Sequence, residues 1–387
     1  MRSVFREKRE LRIPGPTPVP PQALRALSRP LMGHRTEEFS SILMRTTERL
    51  KRILGTKADV YTFASSGTGA MEAAVANTVS ASDKVIVVVG GKFGERWSEL
   101  CRAFGAEVEE IVVEPGKAVD PAAVEQALKA APETRAVFIT QNETSTGVEH
   151  DVESVARIVR DTDALLIVDA VSSLGAIEMR MDDWGVDIVA AGSQKALMLP
   201  PGLAVIGVSE KAWSVIEKCR SPRYYFDLIA CRKNMDKETT PFTPAVSMFY
   251  ALDQTTAMIE EEGLENVYRR HQDMRDMIRA AARATGLELF ASDEVASRTI
   301  TAIRGDSTFD VEKLRKRLAT VYNIEVAGGQ SELKGVIFRI GHMGYMDRID
   351  MVSTWAAVEL ALNDLGRPIE IGAGVKAAME VMSKCEF

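Results

Sequence analysis

From about residue 55 onward, short apolar runs alternate with segments whose apolar positions recur at helical spacing. "DVYTFAS" (59–65) precedes "GTGAMEAAVANTV" (67–79), "KVIVVVGG" (84–91) precedes "FGERWSELCRAFG" (93–105), and "EVEEIVVE" (107–114) precedes "DPAAVEQALKAA" (120–131). The series continues through "RAVFITQN" (135–142), the helical "VESVARIVRDT" (152–162), "ALLIVDAVS" (164–172), "VDIVAAGS" (186–193) and "LAVIGVS" (203–209). The strand-like runs are continuously apolar rather than alternating, the pattern of strands buried on both faces of a mostly parallel sheet. Strand–helix alternation predicts an α/β layered domain. Ligands of such sheets sit beyond the carboxyl ends of the strands, so the residues just after each apolar run are the ones to read for chemistry.

The flanks differ from this middle. "IPGPTPVPP" (13–21) is too rich in proline to be helical. It predicts an extended arm over residues 1–20, lying along a surface or a partner chain. The helical stretch "SMFYALDQTTAMIEEEGLENVYRRHQDMRDMIRAAARATG" (247–286) ends the strand–helix series. After it, "RTITAIRG" (298–305), "VEKLRKRLATVYN" (311–323), "GVIFRIGHMG" (335–344) and "RIDMVSTWAAVELALNDLG" (348–366) read as a smaller α+β unit. The boundary falls within the helical stretch, giving a large domain over 21–265 and a small one over 266–387. No internal repeat or low-complexity tract interrupts the chain.

Composition narrows the partners. With 387 residues, 46% hydrophobic, 27% charged and a net charge of -7, the chain has the make-up of an ordinary globular protein without a basic stripe. That argues against nucleic acid as partner. The N-terminus is charged and lacks the apolar core of a secretory signal, and no apolar run is long enough to span a bilayer. A cytoplasmic address is the expectation. Cys101, Cys219, Cys231 and Cys385, like His34, His150, His271 and His342, are dispersed, so neither a disulfide framework nor a metal site is expected.

Four strand-end sites carry candidate chemistry. In "SSGTGAMEAA" (65–74), Ser66, Gly67, Thr68 and Gly69 lie where a strand turns into a helix. Small residues there let backbone N–H groups approach an anion, and the helix N-terminus favours negative charge. A plain cap by Ser66 or Thr68 is the simpler use of the same residues. Glu72 stands where a dinucleotide fingerprint needs its third glycine, and the lysine of a P-loop is missing. Asp169 ends "ALLIVD", where a buried carboxylate is costly unless a cation or donor meets it. Phe93 in "GGKFGERW" could stack on a planar ligand, though core packing is the ordinary role of a lone phenylalanine. Lys195 in "GSQKALMLPPG" (192–202) sits in a small-residue turn between two apolar strands. A phosphate cradle, a strand-end acid, a stacking ring and a lysine on one sheet edge fit one group together. Pyridoxal phosphate is an aromatic aldehyde that bonds lysine as a Schiff base and pairs its pyridine nitrogen with an acid.

The blocks "SGTGAMEAA" (66–74), "NETSTG" (142–147), "VDAVSSLGA" (168–176) and "GSQKALMLPPG" resemble the signatures of class V aminotransferases of fold type I. The nearest branch is the alanine–glyoxylate, serine–glyoxylate and serine–pyruvate aminotransferases. The match runs in order from "PGPTPVPP" and "GHRTEEF" to "FRIGHMG", nearly the whole chain. The resemblance implies a fold type I transferase with a mostly parallel mixed sheet, pyridoxal 5'-phosphate, and a homodimer with active sites at the interface. It implies Lys195 as Schiff-base lysine and acid/base, and Asp169 as pyridinium partner. Gln194, with Ser66, Gly67 and Thr68, falls in the phosphate region. Phe93 stands where relatives often have a stacking tryptophan, and Thr144 where they have a hydroxyl beside the cofactor's O3′. Thr243 in "TTPFTPAVSMFYAL" resembles a residue donated across the dimer to the neighbouring phosphate, with Thr240 as its helper. Arg339 matches the receptor of the substrate α-carboxylate, a job suited to a planar bidentate fork. The implied activity is ping-pong transamination between alanine or serine and a 2-oxo acid such as glyoxylate or pyruvate.

Rival readings share the fold or discard it. A phosphoserine or aminoethylphosphonate aminotransferase, or a pyridoxal-phosphate lyase, would use the same scaffold. The first two need cations for a second anion, a role open to His34 and Arg35 in "GHRTEEF", which otherwise serve docking. A cysteine desulfurase needs a nucleophilic cysteine in a matching motif and a histidine where Gln194 stands. A non-catalytic subunit would have no use for Lys195, Asp169 and Arg339 together. A nicotinamide-dependent oxidoreductase fails on the glycine pattern.

Overall fold

The computed structural model describes residues 9–385, and its β-structure is divided between two main sheets and a short hairpin. In chain order the strands are β1 (Glu10–Arg12), β2 (Asp59–Phe63), β3 (Lys84–Val89), β4 (Glu107–Val112), β5 (Ala136–Thr140), β6 (Asn142–Glu143), β7 (Val148–Glu149), β8 (Leu165–Asp169), β9 (Ile188–Gly192), β10 (Ala204–Val208), β11 (Ile300–Arg304), β12 (Ile324–Gly328) and β13 (Ile337–Gly341). The larger sheet has the order β2-β10-β9-β8-β5-β3-β4. Only β10 runs against its neighbours. The strands β2, β9, β8, β5 and β3 therefore deliver their carboxyl ends to one edge, the edge at which ligands of such sheets bind.

Alternate residues of each inner strand enter different cores. Leu166 and Val168 of β8 pack in one apolar cluster, and Leu165 and Ile167 in the other, on the opposite face. Each of these side chains is fully buried, a contribution of about 1.5–3 kcal/mol apiece. This two-sided burial is why the runs lack alternation. The exception is β4, where Glu107, Glu109 and Glu110 are exposed. It is the outer edge strand, and carboxylates on an edge discourage pairing with another chain.

The smaller sheet has the order β1-β12-β13-β11. Its core gathers Met274, Ile278, Phe338, Ile340, Trp355 and their neighbours. The long helical stretch is two helices, Val246–Glu262 and Leu264–Ala284, separated at Gly263 with φ +81°. A left-handed residue ends one helix without a β-carbon clash.

Of the arm expected over residues 1–20, residues 1–8 lie outside the described residues. The rest does more than lie along a surface. Residues 10–12 form the edge strand of the smaller sheet, parallel to β12. The Arg12 side chain, fully buried, donates to Thr354 Oγ1 at 3.0 Å and pairs with Asp350 at 2.7 Å. The chain then turns across the carboxyl edge of the larger sheet, where Thr17 Oγ1 donates to the Lys195 carbonyl at 2.8 Å and Thr17 N to the Gln194 carbonyl at 3.1 Å.

Candidate active site

Strand register places the candidate residues. Thr140 and Asp169 lie side by side at the ends of β5 and β8, with Asp169 opposite Ala190, and β9 runs on two residues to Gly192 before the lysine turn begins. After β9 the chain doubles back within a few residues. Ser193 Oγ donates to the Pro200 carbonyl at 2.8 Å and accepts Leu203 N at 3.1 Å, while Met198 N returns to the Lys195 carbonyl at 3.0 Å. These bonds fix the turn around the base of Lys195, and its amine points into the site, where it donates to the Pro14 carbonyl of the arm.

Lys195, Phe93, Thr144 and Arg339 share the walls of one cavity of about 540 Å³, with Pro14 and Gly15 of the arm beside them. Lys195 is buried, and burial lowers its pKa from 10.5 to about 8. Asp169 pulls it upward, and the cations of Arg339 and Arg96 push it down. Asp169 is buried too; its Oδ1 accepts Val171 N at 2.7 Å. Burial raises its pKa to about 7, opposed by the Val171 N–H and reinforced by Glu143. Among the described residues no cation comes within ion-pair distance of Asp169. The acid is thus built in without its counter-charge, a costly arrangement unless a ligand supplies it.

The start of the helix that follows β2 leaves backbone donors free. The helix Gly67–Thr78 begins with Ser66 at its cap position, yet neither the exposed Ser66 nor any other side chain caps the first turn. The cap by Ser66 or Thr68 weighed from sequence is absent, and the first N–H groups remain available to an anion. Gly67 packs closely on Val171, since a β-carbon there would come within 2.7 Å of its Cγ2. Gln194 lies next to it, with Oε1 buried and without a hydrogen-bond partner. An uncapped helix end, an unpaired buried acid and a buried amine fit a phosphorylated pyridine aldehyde.

Arg339, on β13, is buried as its apolar surroundings in sequence imply. Nε donates to the Gly328 carbonyl at 2.9 Å and Nη1 to the Thr144 carbonyl at 2.6 Å. Burial lowers its pKa to about 10, and no carboxylate of the described residues pairs with it. Its partners are neutral carbonyls, so the charge itself is unspent.

The chain does not bring every candidate here. Thr240 Oγ1 donates to the Phe242 carbonyl at 2.7 Å, and Thr243 is exposed; neither lines the Lys195 cavity. His34 and Arg35 are also elsewhere, with Arg35 donating to Thr239 Oγ1 and to the Thr240 carbonyl. None of the four cysteines lines the cavity, and burial pushes the Cys101 and Cys231 thiols up to about 12. Among the described residues no three His, Cys, Asp or Glu side chains are grouped to hold a metal ion, and no helix is long and apolar enough to cross a membrane.

Three contributors went unread in the sequence. Glu143 is wholly buried between Phe93 and Thr144, with Oε2 accepting Phe93 N at 3.0 Å and Gly94 N at 3.2 Å. Its Oε1 accepts Ser145 N at 3.1 Å, while burial pushes its pKa upward. An acid one residue before Thr144, beyond an apolar strand, was the signal. Arg96 follows Phe93 by one helical turn, and that i, i+3 spacing was its signal. Gly15 has φ +111°, and a β-carbon there would lie 2.6 Å from Lys195 Cδ; nothing local in "IPGP" announces a contact with a residue so distant in sequence.

The chain is similar to known proteins over nearly its whole length. The family model described as "Aminotransferase class-V" matches residues 15–352. The soluble hydrogenase small subunit of Synechococcus sp. is 44% identical over 98% of this chain and 100% of its own. The L-aspartate–glyoxylate aminotransferase of Paracoccus denitrificans is 39% identical over 95% of this chain and 94% of its own. Among solved structures, the ureidoglycine–glyoxylate aminotransferase of Bacillus subtilis is 31% identical, with a TM-score of 0.95 over 99% of this chain and 100% of that one.

Proposed function

Because the chain belongs to the class V aminotransferases, which use pyridoxal phosphate, we propose that it moves the amino group of a small amino acid, alanine or serine, to a 2-oxo acid such as glyoxylate or pyruvate. The observation that carries this reading is the single cavity shared by Lys195, with its lowered pKa, and Arg339, with its unspent charge.

Lys195 would hold the cofactor covalently, Asp169 its ring nitrogen, and Gln194 with the Gly67–Thr68 turn its phosphate. Phe93 would cover the ring and Thr144 flank it. Bound there, pyridoxal phosphate supplies the electron sink that acidifies an amino acid's α C–H and carries its amino group between half-reactions. Arg339 grips the substrate α-carboxylate in its planar fork and so orients the α-carbon toward Lys195. The Lys195 amine, with a pKa near the working pH, takes the α-proton and later returns one. Asp169 would favour a proton on the ring nitrogen. The cycle is ping-pong, the donor leaving as its 2-oxo acid before the acceptor binds.

The working unit in this reading is a homodimer, with Thr243 reaching the phosphate of the neighbouring site. Its support is the exposure of Thr243 and of the nearby rings of Tyr224 and Tyr225, which pack on Phe242. The test is a half-reaction screen, in which the protein loaded with pyridoxal phosphate is mixed with single amino acids and its visible absorbance followed. Alanine or serine should bleach the band. A protein that takes up no pyridoxal phosphate, or a band that no amino acid bleaches, would sink the proposal.

A further inference from the structure

The cavity that holds Lys195 and Arg339 has a second cationic wall, which alanine and serine are too short to use. The helix Val311–Arg317 lines it with Arg315 and Lys316. Arg315 is fixed on β12, with Nε donating to the Val326 carbonyl at 3.2 Å. Arg339 is fixed on the same strand, through the Gly328 carbonyl at 2.9 Å. Those two carbonyls are two residues apart in a strand, hence about 7 Å apart and turned to the same side. One short piece of backbone thus sets the spacing of two guanidiniums that face one cavity, and Arg315 is close enough to depress the pKa of Arg339.

Two acids, Glu312 and Glu325, line the same wall, and each is engaged by an arginine. Glu325 pairs with Arg9 at 3.4 Å. Glu312 holds Nη1 of Arg315, whose Nη2 makes no hydrogen bond among the described residues. Lys316 is exposed, and no acid among the described residues pairs with it. Gly328 lets the Arg315 fork lie against the strand, because a β-carbon there would approach Nη1 to 2.8 Å.

We propose that Arg315, with Lys316, forms a subsite for a second carboxylate, so that the donors of this enzyme include extended four- and five-carbon dicarboxylic amino acids. The inference rests on the transaminase reading above: Arg339 takes the α-carboxylate, and Arg315 and Lys316 take the distal one. A guanidinium fork is suited to a planar carboxylate and a neighbouring ammonium adds charge without fixing geometry.

The experiment compares kcat/KM for aspartate and glutamate with that for alanine, in the holoenzyme and its variants, and reports the ratio. In the Arg315→Gln/Lys316→Gln double variant the ratio should fall about tenfold or more, the size of a lost charge-assisted contact. Glu312→Gln, which frees the fork, should move the ratio the other way, and this variant removes no cavity cation. Ratios that stay within about twofold of the parent in both variants would overturn the subsite. So would a parent enzyme that turns over alanine or serine but neither dicarboxylic acid, a result that leaves the transaminase reading intact. O-phospho-L-serine is run alongside, and a preference for it over both dicarboxylic acids overturns the carboxylate assignment. Failure with every amino acid, cofactor bound, overturns both readings together.

Discussion

The guanidinium carbon of Arg96 stands 4.9 Å from the centre of the Phe93 ring, while Nη1 of the same side chain donates to Thr68 Oγ1 at 3.2 Å. One residue therefore ties the candidate ring-stacking position to the candidate phosphate cradle, and its charge also bears on Lys195 and Asp169. Arg96→Ala removes a cation–π contact and a hydrogen bond, together about 1–2.5 kcal/mol. Pyridoxal phosphate affinity should drop by about 5–70-fold, measured by titrating the apoprotein and following its visible band. An unchanged affinity would mean that Arg96 does not support the cradle.

Lys195 should attack a carbonyl only as the free amine. Its pKa of about 8 predicts that the rate of cofactor uptake by apoprotein rises through pH 8, well below the 10.5 of an ordinary lysine. Rapid-mixing absorbance across pH 6 to 10, roughly two units either side, checks this. In Arg96→Ala the midpoint should move up, because one of the cations that depress it has gone.

Arg339→Ala should leave the colour of the holoenzyme in place and weaken the amino-acid half-reaction by on the order of 10²-fold or more in kcat/KM. Arg339→Lys keeps the charge and loses the fork, so it should recover only part of that loss. Equal loss of cofactor and substrate binding would place Arg339 in the scaffold instead.

Asp169 links the site to stability. Its pKa is raised from 3.8 to about 7 in the folded chain, so across that window the fold holds a proton that the unfolded chain has released. Stability of the cofactor-free protein is therefore lost as pH rises from about 4 through 7. Asp169→Asn removes this dependence. Above pH 7 the variant apoprotein should be the more stable to denaturant, on the order of a few kcal/mol, although it should turn over poorly. A variant less stable than the parent at pH 8 would contradict the buried, unpaired carboxylate.

Gly15→Ala places a methyl group where Lys195 Cδ and Cε lie, on a backbone at φ +111° that favours glycine. The fraction of lysine captured by borohydride after mixing with pyridoxal phosphate should fall, with overall unfolding behaviour changed far less. Full capture at the parent's rate would show that the arm yields freely.

Asp169 was legible because it ends an apolar run and Lys195 because it sits in the turn after one, and a parallel sheet sends such ends to one edge. Arg339 was legible through the resemblance, and the apolar flanks of "GVIFRIG" accord with its burial. Glu143 and Arg96 were harder: their local spacing beside Thr144 and Phe93 was a signal, but the Phe93 and Gly94 amides that Glu143 meets and the Thr68 hydroxyl that Arg96 meets lie across the fold, where no local pattern reaches. The β4 run was over-read, because its register with β3 fixes it as an edge only once the sheet order is known. The second cationic wall was invisible for the same reason: Arg315 and Arg339 belong to separate elements that share a strand only after the smaller sheet closes.

The pairing of β1 with β12 has a consequence for synthesis. Glu10 is synthesised well before Ile324 and cannot meet it until the intervening chain has followed. A nascent chain can bury both faces of the larger sheet, but Pro14 and Gly15 cannot be drawn over Lys195 until the smaller sheet exists to anchor the arm. The lysine pocket is then closed late, by a segment made before the larger sheet, and removal of residues 10–15 would disturb the active site while sparing most of the core.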